Sequence, residues 1–131
     1  MLFIAGCTNP FINHKHVDIS DPSNTLTGKQ ETLQLSYIAW GCDCANWITD
    51  ADAKKYHNLE GDALAAHCIF LEPASKDLAL PPNVDALRND IIVTGQFYVK
   101  PDYPKGTFQG EEHLDKARVF RYTKLKVKRR P

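Results

Sequence analysis

Four cysteines and five histidines carry the most reactive side chains of this chain, and their spacing limits what they can do. Cys42 and Cys44 stand two apart in Gly-Cys-Asp-Cys-Ala-Asn-Trp-Ile, and on an extended strand that spacing turns both thiols to one face. Cys68 lies in a second apolar stretch, where a neighbouring strand would bring it to either of them. Three arrangements are open. The first is a disulfide from Cys68 to one of the pair with the third thiol buried, or three buried thiols. The second is a metal centre, since thiolates on adjacent strands with a nearby imidazole suit tetrahedral zinc or soft copper; His67 is the candidate nitrogen ligand, although it points to the face opposite Cys68. The third is redox chemistry through a strained, labile Cys42–Cys44 bond. No Gly-x-Gly-x-x-Gly, Walker A, Gly-x-Ser-x-Gly or His-Glu-x-x-His motif occurs, and Asp50, Asp52, Glu111 and Glu112 sit in polar, loop-like surroundings. Nothing nominates a catalytic residue, so the expectation is a non-enzymatic protein without a resident cofactor.

The remaining cysteine points to a different chemistry. Ile4-Ala5-Gly6-Cys7 resembles a bacterial lipobox, in which a branched apolar residue and two small ones precede a cysteine that takes a lipid on its thiol. Residues 8 to 31 are polar and aperiodic, as a flexible tether between membrane and folded domain should be. Only Leu2, Phe3, Ile4 and Ala5 form an apolar run before Gly6, shorter than the roughly 7 to 15 residues of a secretory signal, which reads as a clipped signal. The expected location is therefore the cell envelope, lipid-anchored to a bacterial membrane, with the outer membrane, periplasmic or surface-facing, as the place.

Trp40, Trp47, Tyr98 and Tyr122 fall on the proposed strands and are candidate ligand contacts. A basic tail lies beside them. From Lys116 onward there are eight basic residues (Lys116, Arg118, Arg121, Lys124, Lys126, Lys128, Arg129 and Arg130) and no acid. The whole chain balances 16 basic against 16 acidic residues, so the remainder is as acidic as the tail is basic. Stacking aromatics beside basic residues would suit an oligonucleotide, although an envelope location speaks against nucleic acid. Anionic lipid headgroups are an alternative target for the tail, and lysines on a last strand also guard an edge.

The elements that must position these residues are mostly strands. At 131 residues, with 43% hydrophobic and 24% charged, the chain suits one globular domain, and no apolar run reaches the roughly 18 residues of a spanning helix. Residues 33–40 and 42–48 read as strands one and two, and residues 65–72 as a third, stopped by Pro73. Pro81-Pro82-Asn83 sets a turn and a cap for a short helix over residues 84–89. Residues 91–100 alternate strictly, with Gly95 marking a bulge or bend. In the last strand, residues 117–128, Phe120 and Tyr122 share the parity of Lys124, Lys126 and Lys128, a conflict that a bulge near residue 122 would resolve. Strand, strand, strand, helix, strand, strand is the order of an OB-like barrel, so the expected organisation is a tether over residues 1–31 and a barrel domain over residues 32–131.

Gly-Cys-Asp-Cys-Ala-Asn-Trp-Ile (41 to 48), Ile-Phe-Leu-Glu-Pro-Ala (69 to 74), Val-Thr-Gly-Gln-Phe-Tyr (93 to 98) and Arg-Val-Phe-Arg-Tyr (118 to 122) are similar to landmarks of small uncharacterised lipoproteins of Bacteroidetes-type bacteria. The resemblance covers most of residues 33 to 127 and implies no activity. The readings in play are a non-enzymatic envelope lipoprotein that binds a protein, a glycan or a small ligand; a thiol-based metal or redox protein using Cys42, Cys44 and Cys68; and an oligonucleotide-binding OB domain.

Overall fold

The computed structural model describes residues 17–40, 44–81, 84–110 and 114–131. Five strands form one sheet: β1 (Glu31–Tyr37), β2 (Trp47–Thr49), β3 (Phe70–Pro73), β4 (Asn89–Phe97) and β5 (Val119–Arg129), in the spatial order β2-β1-β4-β5-β3. All neighbours are antiparallel except β3 and β5, which run parallel. The sheet curls until its two edges meet at one antiparallel bridge, Trp47 to Ile69. The result is a small OB-like barrel of mostly β structure, the expected class.

Strand alternation builds two apolar layers. Leu35, Trp47, Ile69, Ile91, Val93, Phe120 and Tyr122 fill the barrel interior, with Phe97 edge-on to Phe120 at 4.9 Å between ring centroids. The opposite faces of β2, β3 and the start of β5 carry Ile48, Phe70 and Val119, which pack outside the barrel wall with Ala45, Cys68 and Tyr98. Two short helices join that outer layer through Ala53 and Leu64. They are α1 (Asp50–Lys55) and α2 (Gly61–Ala65), and both lie between β2 and β3. Thr49 caps α1, its hydroxyl accepting from the Asp52 amide, with Asp50 and Asp52 in the first turn and Lys54 and Lys55 in the last, each matched to the helix dipole.

Several expectations about the elements are corrected. The residues from Ala65 to Cys68 are the end of α2 and its closing turn rather than strand, with the Cys68 amide donating to the Ala65 carbonyl at 3.0 Å. The strand begins beyond them. Described residues 84–88 form a turn, with one 3-10 turn, Lys76–Leu78, taking the place between β3 and β4 where a helix was expected. The bulge is found. The β4–β5 register shifts between Thr94 and Gly95, where Thr94 opposes Lys124 and Gly95 opposes Tyr122, so Thr123 is the extra residue. Phe120 and Tyr122 thereby face inward while Lys124, Lys126 and Lys128 face outward. A Cβ on Gly95 would stand 2.0 Å from the Arg121 carbonyl oxygen, so only glycine allows this approach.

The stretch expected as a tether to residue 31 is fastened to the barrel from residue 17 onward. Asp102, 3% exposed, accepts both from the Asp21 amide and from Asn24 Nδ2, and Asn24 also bonds both the amide and carbonyl of Lys100. Asp18 and Leu26 add bridges to Phe108 and Tyr98. The long β4–β5 connection is tied down in turn by Glu72 on β3. This carboxylate, 5% exposed, accepts from the Tyr98 hydroxyl and the Lys105 amide and forms an ion pair with the Arg121 guanidinium at 3.5 Å. Two donors and an ion-pair partner compensate the buried carboxylate. Among the described residues no helix is long and apolar enough to cross a membrane.

Candidate functional site

A groove of about 670 Å³, within the range of small-ligand sites, opens on the described surface. Residues from several separate segments build it. β1 ends in Ser36 and Tyr37, α1 and its following turn supply Tyr56 and His57, and the chain end supplies Arg130, with Leu64 of α2 and Asp90 of β4 completing the wall. The floor is apolar and aromatic, and the end near β4 is polar.

Each side chain is held. Tyr37 meets Trp47 edge-on at 5.3 Å between centroids. Tyr56 stacks flat on His67 at 3.6 Å, and His57 Nδ1 lies 2.9 Å from the Lys54 carbonyl. At the polar end Asp90 receives Arg130 Nε at 2.6 Å, Ser36 Oγ at 2.9 Å and Gln34 Nε2 at 3.2 Å. Burial alone would raise the Asp90 carboxyl, but those three donors outweigh it and hold the pKa below the ordinary aspartate value. Arg130 Nη1 donates to the Leu87 carbonyl, while Arg130 Nη2 is buried with no hydrogen-bond partner among the described residues. A buried donor left unsatisfied is rare, and this one belongs to a side chain that lines the polar end of the groove. Floor and rim together suit a ligand with an apolar or ring portion and an acceptor group at one end.

The residues expected to make contacts are placed differently. Trp47, Tyr98 and Tyr122 are 7%, 9% and 2% exposed, so these three rings are core and offer no stacking platform. Tyr122 donates to the Leu78 carbonyl, and burial pushes its phenol pKa up. Burial first, then the bond to Glu72, raises that of Tyr98 as well. Trp40 is half-buried against the outer layer and donates to the Ala45 carbonyl. The cause is strand parity: these rings fill the two layers that make the barrel.

The expected thiol cluster is not assembled from the described residues. Cys68 is a free, buried thiol whose Sγ points to the Leu64 carbonyl, and burial raises its pKa. The expected disulfide from Cys68 is therefore absent. Cys44 precedes β2 rather than lying within it, and its thiol is taken up in a disulfide. Cys42 and Cys7 lie outside the described residues. His67 is turned to Tyr56, and no group of His, Cys, Asp or Glu among the described residues is arranged to hold a metal ion.

Sequence reasoning missed the groove. Tyr37, Tyr56, Asp90 and Arg130 are 93 positions apart at their extremes, from 37 to 130, and no local motif joins them. The Thr49 N-cap followed by Asp50 and Asp52 is a signal in the sequence that could have found the helix forming one wall. No family model, curated protein or solved structure matches the chain.

Proposed function

We propose that this protein is a non-enzymatic binding module of a bacterial cell envelope, held at the membrane by a lipid on Cys7, which takes a ligand in the groove between β1, α1 and the chain end. The observation that carries the reading is the groove itself: an aromatic and aliphatic floor ending at an Asp90–Arg130 pair with one unsatisfied guanidinium donor. Tyr37 and Tyr56 supply apolar contact area with few rotatable bonds, and Arg130 offers charge-assisted bonding to an acceptor such as a carboxylate or a sugar oxygen. The envelope assignment rests on the lipobox-like Ile4-Ala5-Gly6-Cys7.

Two measurements test these parts separately. Intact mass spectrometry of natively expressed protein should show a diacylglyceryl mass on Cys7, and an unmodified thiol there would remove the membrane tether. For the groove, thermal-shift screening against short peptides and oligosaccharides should find compounds that raise the melting temperature of the parent but not of Tyr56→Ala or Arg130→Gln. Hits that stabilise all three proteins equally would place binding elsewhere.

A further inference from the structure

The two helices cover only part of the barrel wall. The outward faces of β1, β4 and the second half of β5 lie outside the layer they cover, and that face is chemically one-sided. β1 presents Thr32, Gln34 and Ser36; β4 presents Asp90, Ile92 and Thr94; β5 presents Lys124, Lys126 and Lys128. Ladder pairing sets Lys124 opposite Thr94, Lys126 opposite Ile92 and Lys128 opposite Asp90. The three lysines are exposed, about 7 Å apart along the strand. None of them has an ion-pair or hydrogen-bond partner among the described residues. Of the two acids on these strands, Asp90 is already neutralised by Arg130, and Glu31 stands at the far end of β1.

The same face ends in an apolar tip. The turn before β4 exposes Leu87 at 61%, the largest exposure of any described large hydrophobic residue. It is not a loose end. Asp85 Oδ1 accepts from the Leu87 amide and its carboxylate pairs with Arg88 at 3.4 Å, while the Leu87 carbonyl accepts from Arg130. A surface cavity beside it is lined by Arg88, Arg129, Arg130 and Pro131. A leucine held outward beside Arg88, Arg129 and Arg130, near the end of the strand that carries the row of unpaired lysines, is complementary to a surface that is anionic outside and hydrocarbon beneath.

We propose that this face, with Leu87 at its tip and Lys124, Lys126 and Lys128 along it, docks on anionic phospholipid. The lysines lie over headgroup phosphates, and Leu87 enters the interfacial region. Zero net charge gives the chain no general attraction to such a surface, so the contact is oriented by the charge asymmetry rather than driven by overall charge. The face shares Ser36, Asp90 and Arg130 with the groove, but the inference requires neither a ligand there nor lipid on Cys7.

The test uses the full chain carrying Cys7→Ser, so that no acyl group mediates binding, in sedimentation with phosphatidylglycerol–phosphatidylcholine vesicles and with phosphatidylcholine alone. Binding should need phosphatidylglycerol and fade as ionic strength rises toward roughly 0.5 M. Lys124→Glu with Lys126→Glu and Lys128→Glu should lower vesicle affinity by at least about tenfold. Leu87→Ser should lower it by roughly threefold to tenfold, and replacing the three lysines by arginine should keep it. Because charge reversal on β5 can disturb folding, Leu87→Ser and the arginine variant give an independent reading. Parent-level binding by the glutamate variant overturns the proposal, as does equal binding to both vesicle types. Tighter binding to single-stranded DNA than to the anionic vesicles, with the same lysine dependence, would assign the face to nucleic acid instead.

Discussion

Asp90 stands where the strand ladder meets the polar end of the groove, and its three donors make it the most closely bonded acid of that region. Folding depresses its pKa, so its contribution to stability is complete above the unfolded value near 3.9 and is lost as pH falls through the folded value. Asp18 acts in the same direction: burial would raise its carboxyl, but bonds from the Gly106 and Ser20 amides and the Ser20 hydroxyl outweigh it. Asp90→Asn should lower stability at pH 7 by about 1 to 2 kcal/mol, since it exchanges a charge-assisted pair for a neutral one. In urea melts the gap between variant and parent should narrow below about pH 4. A gap that stays constant down to about pH 2 would show that the Asp90 charge contributes nothing.

At the scale of elements, β5 changes role along its length, and the bulge at Thr123 is what permits the change. Before the bulge the strand is buried on both faces, through Val119, Phe120 and Tyr122; after it, three lysines face outward. Gly95→Ala would drive a methyl carbon into the Arg121 carbonyl and force the ladder apart. We expect a loss on the order of 3 kcal/mol, read as a lower midpoint in chemical denaturation. A loss under about 0.5 kcal/mol would mean that the two strands part easily at this position. This element was legible in the sequence, because a glycine inside an alternating run and a parity conflict between Phe120, Tyr122 and the lysines both mark the same defect. The third strand was not. Ala65, Ala66, His67 and Cys68 form an apolar run that serves a helix end as well as a strand, and only packing against the outer layer decides between them. The helix at Asp50 was half-visible, since Thr49 and Asp52 carry a capping pattern in a segment that otherwise reads as a polar turn.

For the whole molecule, the mostly β class was readable from alternation and proline stops, whereas the site was not. Its walls come from β1, α1, α2, β4 and the chain end, and no spacing rule connects residues brought together only by curling a sheet. Buried aromatics were mistaken for contacts for a related reason: a ring in a strand gives no sign of which side becomes the interior until the register is known. The clasp of asparagine and aspartate around Lys100 was equally hidden, because Asn24 and Asp102 are ordinary loop residues until 78 positions of chain fold back between them.

The parallel edge strand β3 meets β2 through a single residue pair, with amide to carbonyl distances of 2.7 Å from Ile69 to Trp47 and 3.4 Å from Trp47 to Ile69. Elsewhere the ladder runs for many residues, as between β4 and β5. A hoop fastened at one rivet parts there first when it is strained, so brief excursions of this molecule should begin as a gaping between Trp47 and Ile69 while β4 stays intact. In deuterium-exchange measurements those two amides should therefore lose protection well before Ile91 and Val93. Simultaneous loss at all four would mean that the hoop has no preferred place to part.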